Sequence, residues 1–247
     1  MGVPLICDRR GIVVAEALVS LLLGLALVGL GWRILSRQRL VAVRLIHEMD
    51  VLSARRVAAM VMGRDLRRGV AGRDWPDPVG DSLPLRVFRG WGLSCASVAA
   101  RPGTIVVAYR GERSPSPVKD SVLVLTDGRW LPADLIDRAR IREPSCSDGL
   151  DFDMEVWTVD PPISGPLLRV FEHGSYHVQG GALRYRRGRG GRQPLTPEVF
   201  TGSSTMEGSR DRVLLRLVSD RAPWGGGTWS TSIPLWSREV TPPGREE

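Results

Sequence analysis

The sequence predicts an α+β protein: a long N-terminal transmembrane/amphipathic helix packed on an antiparallel β-sheet domain. Three observations predict it. Residues Ile12 to Trp32 form an apolar run that carries one charge, Glu16. No proline stands between Pro4 and Pro76. From Trp75 onward prolines and glycines become frequent, and the apolar pattern shortens to strand length. With 43% hydrophobic and 25% charged residues the chain has enough apolar content to fold rather than stay disordered. Its net charge of +7 is nearly all arginine, Lys119 being the sole lysine, and favours anionic partners without naming one.

The first element is the apolar run itself. It is long enough for a membrane span, which takes about 20 residues at 1.5 Å each. Ahead of it stands a short basic stretch, MGVPLICDRRG, and Arg33 closes it. A secretory signal would have a shorter apolar region, although Gly29 and Gly31 keep a weak version of that reading open. A twin-arginine signal finds only Arg9 and Arg10. A plain single-pass anchor accounts for the length but not for Glu16. An acidic residue in the middle of an apolar span costs about 2.5–3.5 kcal/mol, so it marks function.

Helical character continues beyond Arg33. Val41, Leu45, Met49, Leu52, Met60 and Leu66 fall on one stripe of a 3.6-residue wheel, with Glu48 and Arg56 intruding. Arg67, Arg68 and Gly69 form a stop, Gly69 being free to take positive φ. One helix is therefore expected from Ile12 to Arg68. Its first half would lie in the membrane and its second half would pack on the outer domain. The divisions expected are 1–11, 12–32, 33–69 and a β-rich domain over 70–247.

Candidate strands in that domain are Ser82–Arg89, Thr104–Arg110, Ser121–Thr126, Asp153–Val159, Leu167–Glu172, Ser175–Val178, Ala182–Arg187, Arg212–Val218 and Trp229–Trp236. Leu83, Leu85 and Val87 alternate clearly, as do Trp229, Thr231, Ile233 and Leu235. Asp127-Gly128 and Gly180-Gly181 mark hairpin turns. Segments 111–118, 188–194 and 222–228 read as loops.

Chemistry is sparse. The three histidines, His47, His173 and His177, read as ordinary surface or half-buried residues. There is no phosphate loop and no nucleophile elbow, and neither a catalytic step nor a cofactor is expected. Asp151, Asp153 and Glu155 would share one face of a strand. They suit either a solvated acidic face or a weak calcium site. Arg184, Arg186, Arg187, Arg189 and Arg192 gather around Tyr185, as a solvated hairpin tip or an anion or DNA contact. Cys95 and Cys146 remain if the leader carrying Cys7 is removed. A disulfide between them would close about 51 residues for roughly 4 kcal/mol, the alternative being two separate thiols.

The amino terminus resembles a type IV prepilin leader: a short basic segment, Gly11, an apolar helix beginning at Ile12, and Glu16 at its fifth position. The stretch Ile-Val-Val-Ala-Glu lacks the aromatic and the threonine common in that family. The segment RRVAAMVMGRDLRRGVAG, at Arg64 to Arg67, is similar to the helix end of PilW-type minor pilins and J-type type II secretion pseudopilins. So is the hairpin carrying Tyr176, Val178, Gly181 and Leu183. The resemblance implies cleavage after Gly11 by prepilin peptidase, N-methylation of Ile12, and pairing of Glu16 with a neighbour's terminal amine during assembly. It implies a single-pass protein of the bacterial inner membrane with its C-terminal domain outside the cytoplasm. Partners would be other minor subunits and the major subunit of a pilus or pseudopilus. A DNA-uptake subunit on the same scaffold, and a membrane-anchored domain unrelated to pili, are the alternatives.

Overall fold

A computed structural model describes residues 10–95, 103–141, 154–209, 212–219 and 229–236. It places one helix, α1 (Arg10–Arg68), ahead of eleven strands. The helix thus begins two residues before its expected start and ends where expected. The chain divides into two units, Met1–Met49 and Asp50–Glu247.

In the first unit α1 is long and apolar enough to cross a membrane, and none of its most apolar stretch is buried. Leu18, Leu22, Leu25 and Leu30 are all more than half exposed. The expected stripe is corrected. Val41, Leu45, Met49, Leu52 and Met60 are exposed, and of that set only Leu66 is buried.

In the second unit the buried face of α1 is Val51, Ala54, Ala58, Met62, Asp65 and Leu66. The spacing is that of one helical face. The two alanines let neighbouring backbones approach, which a stripe chosen for large apolar residues overlooks. At the helix end Gly69 does not take positive φ. A Cβ there would stand 3.1 Å from Asp74 Cβ and 3.3 Å from Trp75 Cδ1, so the glycine makes room for the buried Trp75. The Val70 N–H donates to Asp74 Oδ2 at 2.9 Å. Arg169 donates to the Arg68 carbonyl at 2.6 Å, a cation at the negative helix end.

The strands are β1 (Ser82–Ser94), β2 (Thr104–Gly111), β3 (Asp120–Thr126), β4 (Arg129–Arg140), β5 (Met154–Asp160), β6 (Leu167–Gln179), β7 (Ala182–Arg187), β8 (Arg192–Pro194), β9 (Thr205–Ser209), β10 (Arg212–Ser219) and β11 (Trp229–Trp236). The pairing order β1-β2-β5-β4-β3-β6 closes through β1–β6 into a six-stranded antiparallel barrel. An antiparallel sheet was expected; its closure was not. The β3–β4 turn has Asp127 and Gly128 at φ 49° and 75°, and the β6–β7 turn has Gly180 and Gly181 at 59° and 74°. Both match the mirror-image turns that hairpins favour.

Leu167–Glu172 and Ser175–Val178 merge into the single strand β6, because both halves pair with β1. Strands β4, β8 and β9 were not foreseen. The loop expected over 188–194 contains β8, and the one expected over 222–228 lies outside the described residues.

Two cores result. Ile105, Val107, Val122, Val124, Trp157, Val159, Leu168 and Val170 fill the barrel. Outside it, Ala54, Ala58, Met62 and Leu66 pack with Leu83, Leu85, Val87, Tyr176 and Leu183, and with Val213, Leu215, Leu217 and Leu235 of the β9–β11 sheet. The long strand β6 serves both, with Leu168 and Val170 in the barrel and Tyr176 outside it, while β1 gives Leu83, Leu85 and Val87 to the outer core. Along β6 the neighbour changes from β3, whose last partner is Glu172, to β7, whose first is Gly174. Opposite that point β1 slips register between Phe88 and Gly90, leaving Arg89 as an extra residue.

Candidate functional site

Gly11 and Ile12 lie in the first turns of α1. Glu16 follows one turn later, exposed on an apolar surface. Cys95 is disulfide-bonded; Cys146, its expected partner, lies outside the described residues. Asp151 and Asp153 lie outside them too.

Glu155 corrects the solvated acidic face. It is 3% exposed, accepts a 2.7 Å bond from Trp157 Nε1, and stands 3.3 Å from Arg138 Nη1. Its side of β5 is the inward one, shared with Trp157 and Val159.

The arginine cluster is a solvated tip only in part: Arg189 and Arg192 are exposed, while Arg186 and Arg187 make part-buried contacts. Arg184 pairs with Glu198 at 2.6 Å, Arg186 donates to Ser175 Oγ at 3.3 Å, and Arg192 bonds Gln179. Arg187 pairs with Asp120 and Glu172. Arg189 is exposed.

His173 is exposed and stands edge-on to Phe171. His177 is buried instead of half-exposed. Its Nε2 lies 2.8 Å from Ser175 Oγ, and no group among the described residues partners its buried Nδ1. Burial first, then Arg192 and Arg186, holds its pKa below the usual histidine value.

The densest polar constellation sits where the sheet divides, around Asp120 and Glu172. Glu172 Oε1 accepts from Arg89 Nε at 3.0 Å, Arg89 Nη2 at 2.7 Å and Tyr185 Oη at 2.7 Å. Its Oε2 accepts from Arg113 Nη2 at 2.7 Å, with Arg187 Nε at the same distance in an ion pair. Asp120 accepts from Arg113 at 2.6 and 2.7 Å, from Arg187 Nη2 at 2.7 Å and from the Ser116 N–H at 2.6 Å.

Burial pushes both carboxyls up. The bonds from Tyr185 and Arg89 to Glu172, and from Arg113, Ser116 and Arg187 to Asp120, outweigh it, so both titrate below their ordinary values. Burial pushes Tyr185 up further, as does its bond to Glu172. Arg89 also reaches Asp65 at 3.8 Å and Glu112 at 3.4 Å. Asp65 accepts from Tyr176 Oη at 2.6 Å.

Chemically this is a closed charge cluster. All four oxygens of Asp120 and Glu172 accept charged bonds, so the group locks β1, β3, β6 and β7 together and presents no poised acid or base. The cluster went unread in the sequence, yet a signal exists. Asp120 shares parity with Val122 and Val124, and Glu172 with Leu168 and Val170, so each acid sits on the apolar side of its strand.

No protein-family model, no curated protein and no solved structure matches the chain.

Proposed function

We propose that the chain is a minor pilin or pseudopilin, cut after Gly11 and methylated on Ile12, that helps start or cap a type IV pilus or type II secretion pseudopilus. The observation that carries this reading is Glu16: a carboxylate exposed on an apolar helix with no other charge from Ile12 to Trp32. In lipid, a lone carboxylate is costly. The terminal ammonium of a neighbouring helix would offset that cost and set the register of each arriving subunit.

A second observation supports it. The two stretches similar to minor pilins, around Asp65 and Tyr176, are hydrogen-bonded to each other at 2.6 Å. A nucleic-acid grip at the arginine-rich hairpin draws less support, because Arg184, Arg186, Arg187 and Arg192 are engaged within the domain.

Mass spectrometry of the membrane-extracted protein tests the leader: the mature chain should begin at Ile12 with one added methyl group. An intact Met1, or a cut between Ala26 and Gly31, defeats the reading. Glu16→Gln should abolish incorporation into filaments while leaving membrane insertion intact.

A further inference from the structure

Outside the charge cluster, where the end of α1 meets the start of β2–β3, lies an open cleft of about 390 Å³. Its walls carry Arg68, Arg89, Arg110 and Arg169 around one carboxylate, Glu112, with Trp91 alongside. Glu112 already serves three guanidiniums: Arg68 at 2.5 Å, Arg89 at 3.4 Å and Arg64 at 3.5 Å. That leaves two cations, Arg110 and Arg169, in no ion pair among the described residues, although Asp74 attracts Arg169 from a distance. Arg110 is exposed, and no described residue pairs with it. Arg169 lies with its Cζ 3.6 Å from the Phe88 ring centroid and spends one amino group on the Arg68 carbonyl. No carboxylate among the described residues stands within ion-pair reach of it. Trp91, 40% exposed, adds an apolar platform.

We propose that this cleft is a docking site for an acidic segment of a protein partner. A glutamate or aspartate would bridge Arg110 and Arg169, and an adjoining apolar side chain would lie on Trp91. Charge complementarity carries the assignment. The cleft holds an excess of guanidiniums, whose forked donors fit carboxylates in pairs, and its own Glu112 shows how a carboxylate sits among them. Arginine and tryptophan are also the side chains that most often dominate protein interfaces. The site is built wholly within the second unit and does not depend on the fate of Gly11 or Glu16.

The test uses the full chain in detergent micelles and a fluorescein-labelled peptide of alternating glutamate and leucine. Binding should appear by anisotropy, weaken with salt, and vanish when glutamine replaces glutamate. Arg110→Glu should lower the affinity about tenfold or more. Arg110 is exposed, so the substitution should leave the fold intact, which the unchanged urea midpoint of the variant would check. Trp91→Ala should weaken binding as well. Arg189→Glu, an exposed arginine outside the cleft, should leave it unchanged. The proposal is overturned by an unbound peptide, by wild-type affinity in Arg110→Glu, or by equal weakening in Arg189→Glu, which would mean diffuse attraction. Displacement by inorganic phosphate, but not by chloride at equal ionic strength, would make the cleft a phosphate site and overturn it too.

Discussion

Up to Met49, α1 shows leucines to its surroundings on every side; from Val51 to Leu66 the same helix shows a closed face of alanine, methionine and aspartate. The upstream part is richer in large apolar residues, yet it is the downstream part that the fold buries. The difference teaches that burial follows fit to the neighbouring sheets and not apolar content. Ala54 and Ala58 are 0% exposed because they let strands lie close, whereas no described residue covers Leu25 and Leu27.

The largest break in that contrast should come from Ala58→Glu. It places an unpaired carboxylate among Leu83, Leu85 and Leu215, and the domain should lose its cooperative unfolding transition in urea. Met62→Ala, by cavity formation, should cost about 2–5 kcal/mol in the same titration. Tyr176→Phe removes the hydroxyl that satisfies the buried Asp65 and should cost about 1–3 kcal/mol.

Acid should separate the regions further. Asp120 and Glu172 titrate below their ordinary values of 3.8 and 4.5 when folded, so their stabilising effect is complete above those values. It is lost as pH falls through the folded pKa values. Thermal unfolding should therefore drop to lower temperature progressively below about pH 4, and Glu172→Gln should start lower and change less. Least of all, Leu25→Ala should leave the urea midpoint of the second unit unmoved.

The legible parts were those written in local pattern. The helix end could be read at Arg68 and its start to within two residues, at Ile12 against Arg10, and turns could be read from Asp127-Gly128 and Gly180-Gly181, because glycine and aspartate act within a few residues. Alternation at Leu83, Leu85 and Val87 gave the start of β1, all three being buried. What escaped was set by pairing across the chain. Barrel closure needs β1 and β6 to meet, a contact no local window contains. The full length of β4 escaped because its exposed positions mix polar and apolar residues without alternation and Pro132 sits within it. The packing stripe of α1 escaped because alanine carries little weight in an apolar pattern. At the candidate site, Glu16 stood out because its neighbours are all apolar. Asp120 and Glu172 did not, since their partners Arg89, Arg113 and Arg187 come from distant segments.

Tyr176 and Arg169 belong to one strand, and they hold the last turns of α1 at Asp65 and at the Arg68 carbonyl. A tug on the helix would load both grips. Tension arriving through the helix would thus pass into the closed barrel, whose strands share it around the ring.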